Sequence, residues 1–176
     1  MTRYILSFDP GKESGVALGY YSDTEPFRLL ERWQVSGGLE GLLAWLDEFE
    51  PRYLHHGVDQ IVVEKFMAMR NDFVASIEGV PAEGAIALWA RQRGIPVTWQ
   101  TRTDKARLIP YPKEANTVAR RQRVRFNFLK EFGLYAPGTR NDDSNDATTH
   151  ILIWLKVRKH RPTLEHYWPR REETAA

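Results

Sequence analysis

The sequence predicts one α/β domain in which a five-stranded mixed sheet is flanked by helices. Three short apolar segments come first, and the brief turns between them favour an antiparallel meander. Two later apolar segments alternate with segments of helical periodicity, which favours parallel crossover strands. Hydrophobic residues make up 42% of the 176 residues, which is enough to bury a substantial core.

The predicted meander comprises residues 4–8, 14–22 and 27–35. Its first strand is the apolar run YILSF, and Asp9-Pro10-Gly11 follows it with a turn signal. The turn-forming segment SDTEP separates the second strand from the third. Each connection is short enough for a hairpin.

Helices alternate with strands in the rest of the domain. Leucines at helical spacing predict a first helix that ends before Pro51, whereas residues 67–81 show no clear pattern. Residues 101–113 contain two prolines and are expected to form an irregular loop or a short helix. We expect the domain to cover residues 1–160 and residues 161–176 to form a C-terminal tail. The remaining elements are a helix over residues 38–50, a strand over 59–66, a helix over 83–94, a strand over 95–100, a basic amphipathic helix over 115–133 and a helix over 141–159.

Charge is distributed unevenly along the chain. Residues 1–90 carry 7 Lys and Arg against 14 Asp and Glu, whereas residues 91–130 carry 11 against 2. A basic segment beside acidic clusters is typical of a protein that binds a polyanion and metal cations. A solvated basic helix would give the same pattern, so charge alone leaves both interpretations open.

The sequence has no cysteine, which excludes disulfides and thiolate-bound metals. No apolar run is long enough for a signal peptide or a membrane span. We therefore expect a soluble cytoplasmic protein without a membrane partner.

Four carboxylates occupy positions that suit metal-dependent chemistry. Asp9 ends the first strand and Glu64 ends the fourth, so adjacent parallel strands would bring them to one sheet edge. Asp143 and Asp146 are spaced i, i+3, which places both on one face of the last predicted helix. Asp142 is an alternative to Asp143, because the start of that helix is uncertain by a residue.

Oxygen ligands of this kind favour Mg²⁺ or Mn²⁺, and two such ions can support hydrolysis of a phosphodiester. Each residue alone has an ordinary structural explanation. Asp9 could begin a turn, Glu64 could be a solvated strand end, and Asp143 could cap a helix. The order of all four along the chain favours the metal site.

These motifs resemble those of the RuvC-type Holliday junction resolvases, within the ribonuclease H-like superfamily. The resemblance covers roughly residues 3–156. The residues that carry it are Ser7-Phe8-Asp9-Pro10-Gly11 with Ser14-Gly15-Val16-Ala17, Val62-Val63-Glu64-Lys65-Phe66, and Asp143-Ser144-Asn145-Asp146-Ala147.

The resemblance implies a ribonuclease H-like fold and a homodimer that nicks branched DNA symmetrically in a bacterial or phage-infected cell. It implies that Asp9, Glu64, Asp143 and Asp146 hold Mg²⁺ or Mn²⁺, two ions per site, without a nucleotide cofactor. It also implies that a lysine holds the scissile phosphate. Lys105 matches that lysine best, and Lys113 is the alternative.

The family carries an aromatic wedge three positions after the second-motif glutamate. Here Met67 takes that position and Phe66 precedes it, so we expect forks and flaps as substrates besides Holliday junctions. Arg70 and Asn71 follow the wedge and are expected to touch the branch point. Four further DNA contacts are predicted on the basic helix, although a solvated helix face is the alternative: Arg120, Arg121, Arg123 and Arg125.

His150 lies one helical turn after Asp146. It could serve as a further ligand or base, and the alternative is a core or capping histidine.

Two other functions stay open: a nuclease acting on RNA–DNA hybrids and a non-catalytic DNA-binding module. A phosphotransferase of the actin and sugar-kinase kind is disfavoured, because it needs two lobes and a second glycine-rich phosphate motif.

Overall fold

The computed structural model of the chain describes residues 1–53, 57–65, 73–138 and 142–169. At its centre lies a five-stranded sheet in the order β3-β2-β1-β4-β5. The first three strands pair antiparallel, and β1–β4 and β4–β5 pair parallel, which confirms the predicted mixed sheet. The strands are β1 (Thr2–Asp9), β2 (Glu13–Ser22), β3 (Arg28–Ser36), β4 (Gln60–Lys65) and β5 (Val97–Thr101).

Helices cover both faces of the sheet. The α-helices are α1 (Gly38–Tyr53), α2 (Phe73–Gln92), α3 (Val118–Glu131), α4 (Asp142–Val157) and α5 (Arg161–Tyr167), and a 3₁₀ helix spans Arg102–Arg107. Side chains alternate along β1, so that Leu6 and Phe8 pack with α1 and α2, whereas Ile5 packs with α3 and α4. The apolar runs of β1 and β4 are continuous because both faces of these central strands are buried.

Two helices that contain a proline extend beyond one of their predicted ends. The first continues through Pro51 to Tyr53, because a proline near a helix end removes only one backbone hydrogen bond. The second begins at Phe73 and contains Pro81, whereas the sequence predicted a start at residue 83. Pro81 and Gly84 both lie inside the helix without ending it, since the packing of the helix outweighs their low propensity.

Residues at the start of the predicted tail form α5, which packs against the domain. The Phe27 amide donates to Thr163 Oγ1 at 2.9 Å, and the Tyr167 hydroxyl donates to the Phe27 carbonyl at 2.9 Å. The division into a domain over residues 1–160 and a tail over residues 161–176 stays a prediction. Among the described helices, none combines the length and the hydropathy needed to cross a membrane.

Candidate active site

Strand register places Asp9 and Glu64 side by side. Phe8 is paired with Val63 across the parallel strands β1 and β4, so the next residue on each strand comes to the same sheet edge. Asp9 follows the two-residue alternation of Ile5 on β1, and Glu64 follows that of Val62 on β4, so both carboxylates lie on the sheet face that packs against α4.

Helix α4 brings Asp146 over these two residues. Its first turn crosses β2 at Gly15, where a Cβ atom would overlap the Asp143 backbone. The absence of a side chain at Gly15 thus allows the close approach of helix and sheet. Asp146 is buried at the resulting junction, with 7% of its surface exposed.

The ammonium group of Lys105 lies where the three carboxylates converge. Lys105 Nζ is 2.6 Å from Glu64 Oε2, 2.7 Å from Asp146 Oδ2 and 3.3 Å from Asp9 Oδ2. Lys105 comes from the 3₁₀ helix that follows β5. That helix is fixed at its start by Asp104, whose carboxylate accepts from the Thr101 amide at 2.7 Å.

Burial and charge act against each other in this cluster. Burial alone lowers the pKa of Lys105, but the charges of the three carboxylates hold the pKa above its ordinary value. Burial raises the pKa of Asp9 well above its usual range, and Lys105 offsets part of this effect. Burial also acts to raise the pKa of Glu64, but the hydrogen bond with His150 and the charge of Lys105 lower the pKa below its ordinary value.

Arg125 supplies a second positive charge to Asp146. Its Nη2 atom lies 3.0 Å from Asp146 Oδ1, and its Nη1 atom donates to the Tyr111 hydroxyl at 3.2 Å. Only 6% of the Arg125 surface is exposed. The sequence grouped Arg125 with residues that contact backbone phosphates, whereas α3 turns this side chain inward against α4. Its contact with phosphates stays a prediction.

Asp143 lies at the start of α4 and is held by Gln34 of β3. Gln34 Nε2 donates to Asp143 Oδ2 at 2.6 Å, and Gln34 Oε1 accepts from the Ser144 amide. Burial raises the pKa of Asp143, and the nearby Asp146 adds to this effect. Asp142 is paired more loosely, with Gln122 Nε2 at 3.4 Å from its carboxylate. Among the described residues, the ion pairs of Lys105 are with Asp9, Glu64 and Asp146, so Asp143 lies beside this cluster and does not pair with the lysine.

His150 contacts Glu64, and Gln100 in turn contacts His150. His150 Nε2 is 3.0 Å from Glu64 Oε2, and its Nδ1 is 2.6 Å from Gln100 Oε1. Gln100 Nε2 also donates to the His150 carbonyl. Burial lowers the pKa of His150, and the Glu64 carboxylate offsets part of that effect. His150 is thus a core residue that contacts the site.

Sequence reasoning missed Gln34 and Gln100. Gln100 is the register partner of Glu64 on β5, and Gln34 is the partner of Gly15 on β3. Neither has a motif of its own. Pairing register was the signal that could have found them.

The donor chemistry of the cluster fits Mg²⁺ or Mn²⁺. Asp9, Glu64 and Asp146 come from three elements and direct carboxylate oxygens to one point that already holds a positive charge. Within the described ranges, no group of three or more His, Asp or Glu side chains is spaced to hold a metal ion directly. The Lys105 ammonium group takes the central position between the carboxylates instead.

The other residues predicted to bind DNA fall into two groups. Arg120, Arg121 and Arg123 are exposed on α3, and Lys113 is exposed in the loop before it. The second group, which lies outside the described residues, consists of Phe66, Met67, Arg70 and Asn71.

No protein-family model matches the chain, and no curated protein matches it in sequence. Solved structures do match. RuvC of T. thermophilus in complex with a Holliday junction substrate superposes with a TM-score of 0.61 at 14% identity, over 88% of this chain and 96% of that one. The fowlpox virus resolvase with Holliday junction DNA gives 0.54 at 13% identity, over 89% and 99% of the two chains.

The yeast mitochondrial Holliday junction resolvase Ydc2 gives a TM-score of 0.52 at 11% identity, over 93% of this chain and 80% of that one. At these identities the likeness concerns the fold. The chain therefore has the ribonuclease H-like fold of the RuvC-type resolvases, as its motifs predicted.

Proposed function

We propose that the protein is a metal-dependent endonuclease that cuts Holliday junctions and other branched DNA, such as forks and flaps. The convergence of Asp9, Glu64 and Asp146 on one cation position carries this proposal. Its occurrence on the fold of known junction resolvases adds support. Two of those solved structures contain Holliday junction DNA. That this chain binds such DNA is part of the proposal.

Asp9, Glu64, Asp143 and Asp146 are the residues that would hold Mg²⁺ or Mn²⁺, two ions per site. When bound, such ions polarise a phosphodiester and activate water for its hydrolysis. The tight hydrogen bond from Gln34 makes Asp143 a better-oriented ligand than Asp142. His150 and Gln100 keep the Glu64 carboxylate oriented toward the cluster.

Lys105 would hold the scissile phosphate. Its ammonium group is charged and already close to the carboxylates, so a phosphate beside them would find a positive partner. Lys113 is the weaker candidate, since it is exposed and outside the carboxylate cluster.

The rest of the DNA would contact the exposed arginines of α3, Arg120, Arg121 and Arg123. The wedge residues Phe66 and Met67 and the branch-point residues Arg70 and Asn71 remain predictions. So do the homodimer, the cytoplasmic location and the bacterial or phage-infected host.

A substrate panel tests the proposed function. Labelled four-way junctions, forks, flaps, duplexes and RNA–DNA hybrids are incubated with Mg²⁺ or Mn²⁺, and cleavage rates are compared. We expect symmetric cuts in the junction, slower cuts in forks and flaps, and products with 5′ phosphate and 3′ hydroxyl ends. Cleavage of hybrids at a rate equal to or faster than that of junctions would contradict the proposed junction cleavage and favour ribonuclease H activity.

The variant Asp9→Asn separates catalysis from binding. We expect its cleavage rate to fall by at least roughly 1,000-fold, because a carboxylate of the proposed metal site is lost. Junction binding, measured by fluorescence anisotropy, should be kept. Cleavage at the wild-type rate would exclude the carboxylate mechanism, and binding without cleavage by the wild type would favour a non-catalytic module.

A further inference from the structure

Arg125 differs from the other arginines of α3 in its surroundings. Arg120, Arg121 and Arg123 are exposed, whereas Arg125 is 6% exposed and enclosed between α3 and α4. A buried guanidinium group is costly unless carboxylates and hydrogen-bond acceptors surround it. Here its contacts are Asp146 and the Tyr111 hydroxyl.

Asp146 receives its two positive partners from different sides. Arg125 Nη2 lies 3.0 Å from Oδ1 and 3.3 Å from Oδ2, whereas Lys105 Nζ lies 2.7 Å from Oδ2. Lys105 divides its charge among three carboxylates. In the described part of the chain, the ion pair of Arg125 is with Asp146.

The two cations also differ in stiffness. The guanidinium group of Arg125 is planar and is held at two nitrogens, by Asp146 and by Tyr111. The Lys105 ammonium group is a point charge at the end of a flexible stem, which can change partners without rearranging the backbone. Arg125 is thus the fixed partner of Asp146, and Lys105 is the exchangeable one.

We propose that Arg125 is a positioning residue of the active site, which holds Asp146 in place while Lys105 moves from the carboxylates to the phosphate of bound DNA. This role rests on the proposed nuclease function. It also gives α3 two tasks. Its exposed arginines contact the DNA backbone, and its buried arginine orients a carboxylate of the catalytic cluster.

A thermodynamic cycle tests the pairing without any assay of activity. Arg125→Met, Asp146→Asn and the double variant are melted in buffer with EDTA. Each single change should lower the melting temperature by roughly 10 °C, because each removes one member of a buried ion pair and leaves the other member in place. The decrease in melting temperature of the double variant should be much smaller than the sum of the two single decreases. Strict additivity would overturn the pairing.

Kinetics then distinguish positioning from DNA contact. Single-turnover cleavage by Arg125→Met should be slower by roughly 100-fold, with junction affinity and its salt dependence as in the wild type. Arg125→Lys keeps the charge and should recover at least roughly a tenth of the wild-type rate. Arg123→Met is the matched control on the same helix, and it should weaken binding and lower the salt slope by about 1.

The outcomes separate this role from the proposed function. If Arg125→Met weakens junction binding and lowers the salt slope as Arg123→Met does, Arg125 is a DNA contact and the positioning role is excluded. If Arg125→Lys cleaves no faster than Arg125→Met, a role based on charge is excluded. If the wild type cleaves no substrate, the nuclease assignment fails, whereas the melting cycle still decides whether Arg125 holds Asp146.

Discussion

The ammonium group of Lys105 balances charge that three buried carboxylates would otherwise leave uncompensated. Its Nζ atom lies 2.6 Å from Glu64 and 2.7 Å from Asp146. A divalent ion held by the same carboxylates would repel this group at close range. Under the proposed function, lysine and metal would therefore oppose each other at the cluster until a phosphate attracted the lysine.

Replacing Lys105 with Met should make the stability of the protein depend on metal. In EDTA we expect the melting temperature to fall by roughly 10 °C, because the carboxylates lose a counter-charge. Millimolar Mn²⁺ should raise the melting temperature of the variant by more than it raises that of the wild type. Differential scanning fluorimetry measures both shifts.

Lys113→Met is the control for this experiment, because Lys113 is exposed and lies in the loop that follows the 3₁₀ helix. It should melt with the wild type in both buffers. Equal Mn²⁺ shifts for Lys105→Met and the wild type would show that lysine and metal do not compete for these carboxylates.

Single residues differed in how far the sequence could locate them. Asp9 and Glu64 were predictable as neighbours, because each ends an apolar strand and parallel strands end at the same edge. Gln100 was not, since its contact with the site depends on the register of β5. Arg125 was placed among exposed residues, because helical spacing alone does not show which face packs against α4.

At the scale of elements, the close approach of α4 to β2 at Gly15 positions the site. Gly15→Ala would press a methyl group into the Asp143 backbone. We expect a loss of roughly 2–4 kcal/mol in the free energy of unfolding, because backbone has to move away. Urea denaturation measures the loss, and cleavage should fall as Asp146 shifts.

Gly84→Ala provides the comparison for Gly15→Ala. Gly84 lies inside α2, and an added Cβ atom would meet open space there. This variant should be as stable as the wild type or more stable by up to about 1 kcal/mol. A stable, fully active Gly15→Ala protein would show that α4 does not depend on this approach.

The exposed face of α3 predicts the salt dependence of DNA binding. Replacing Arg120, Arg121 and Arg123 with Gln should lower the slope of log affinity against log salt by about 3, because each arginine contributes about 0.9. Titrations by fluorescence anisotropy at several salt concentrations give the slope. An unchanged slope would show that the arginines of α3 form a solvated face and do not contact DNA, which is the alternative that the charge pattern allowed.

Elements were predicted best where one signal dominated. The central strands were clear because both faces are buried, whereas the predicted start of α2 was ten residues too late. Residues 67–81 showed no clear pattern in the sequence, and Pro81 lies inside the observed helix, next to the buried Ala82. Tertiary contacts overrode a local breaker at this point.

At the scale of the whole molecule, α5 links the end of the described chain to the β2–β3 turn. Deleting residues 161–176 should lower the melting temperature by roughly 10 °C, because Tyr167 is 3% exposed and its burial is lost. The point variant Tyr167→Phe loses one hydrogen bond to Phe27, so its melting temperature should lie between those of the wild type and the deletion variant. A deletion variant as stable as the full chain would place the domain boundary at residue 160.

The carboxylate cluster has a consequence for biosynthesis. Lys105 and Asp9 are 96 residues apart, and Asp146 lies 41 residues further along the chain. A ribosome-bound chain therefore exposes Asp9 and Glu64 long before α4 has been made, and the cluster assembles only after nearly the whole domain has left the ribosome. Chains that terminate before residue 146 lack Asp146, so under the proposed function these incomplete products are expected not to cleave the genome of the cell that makes them.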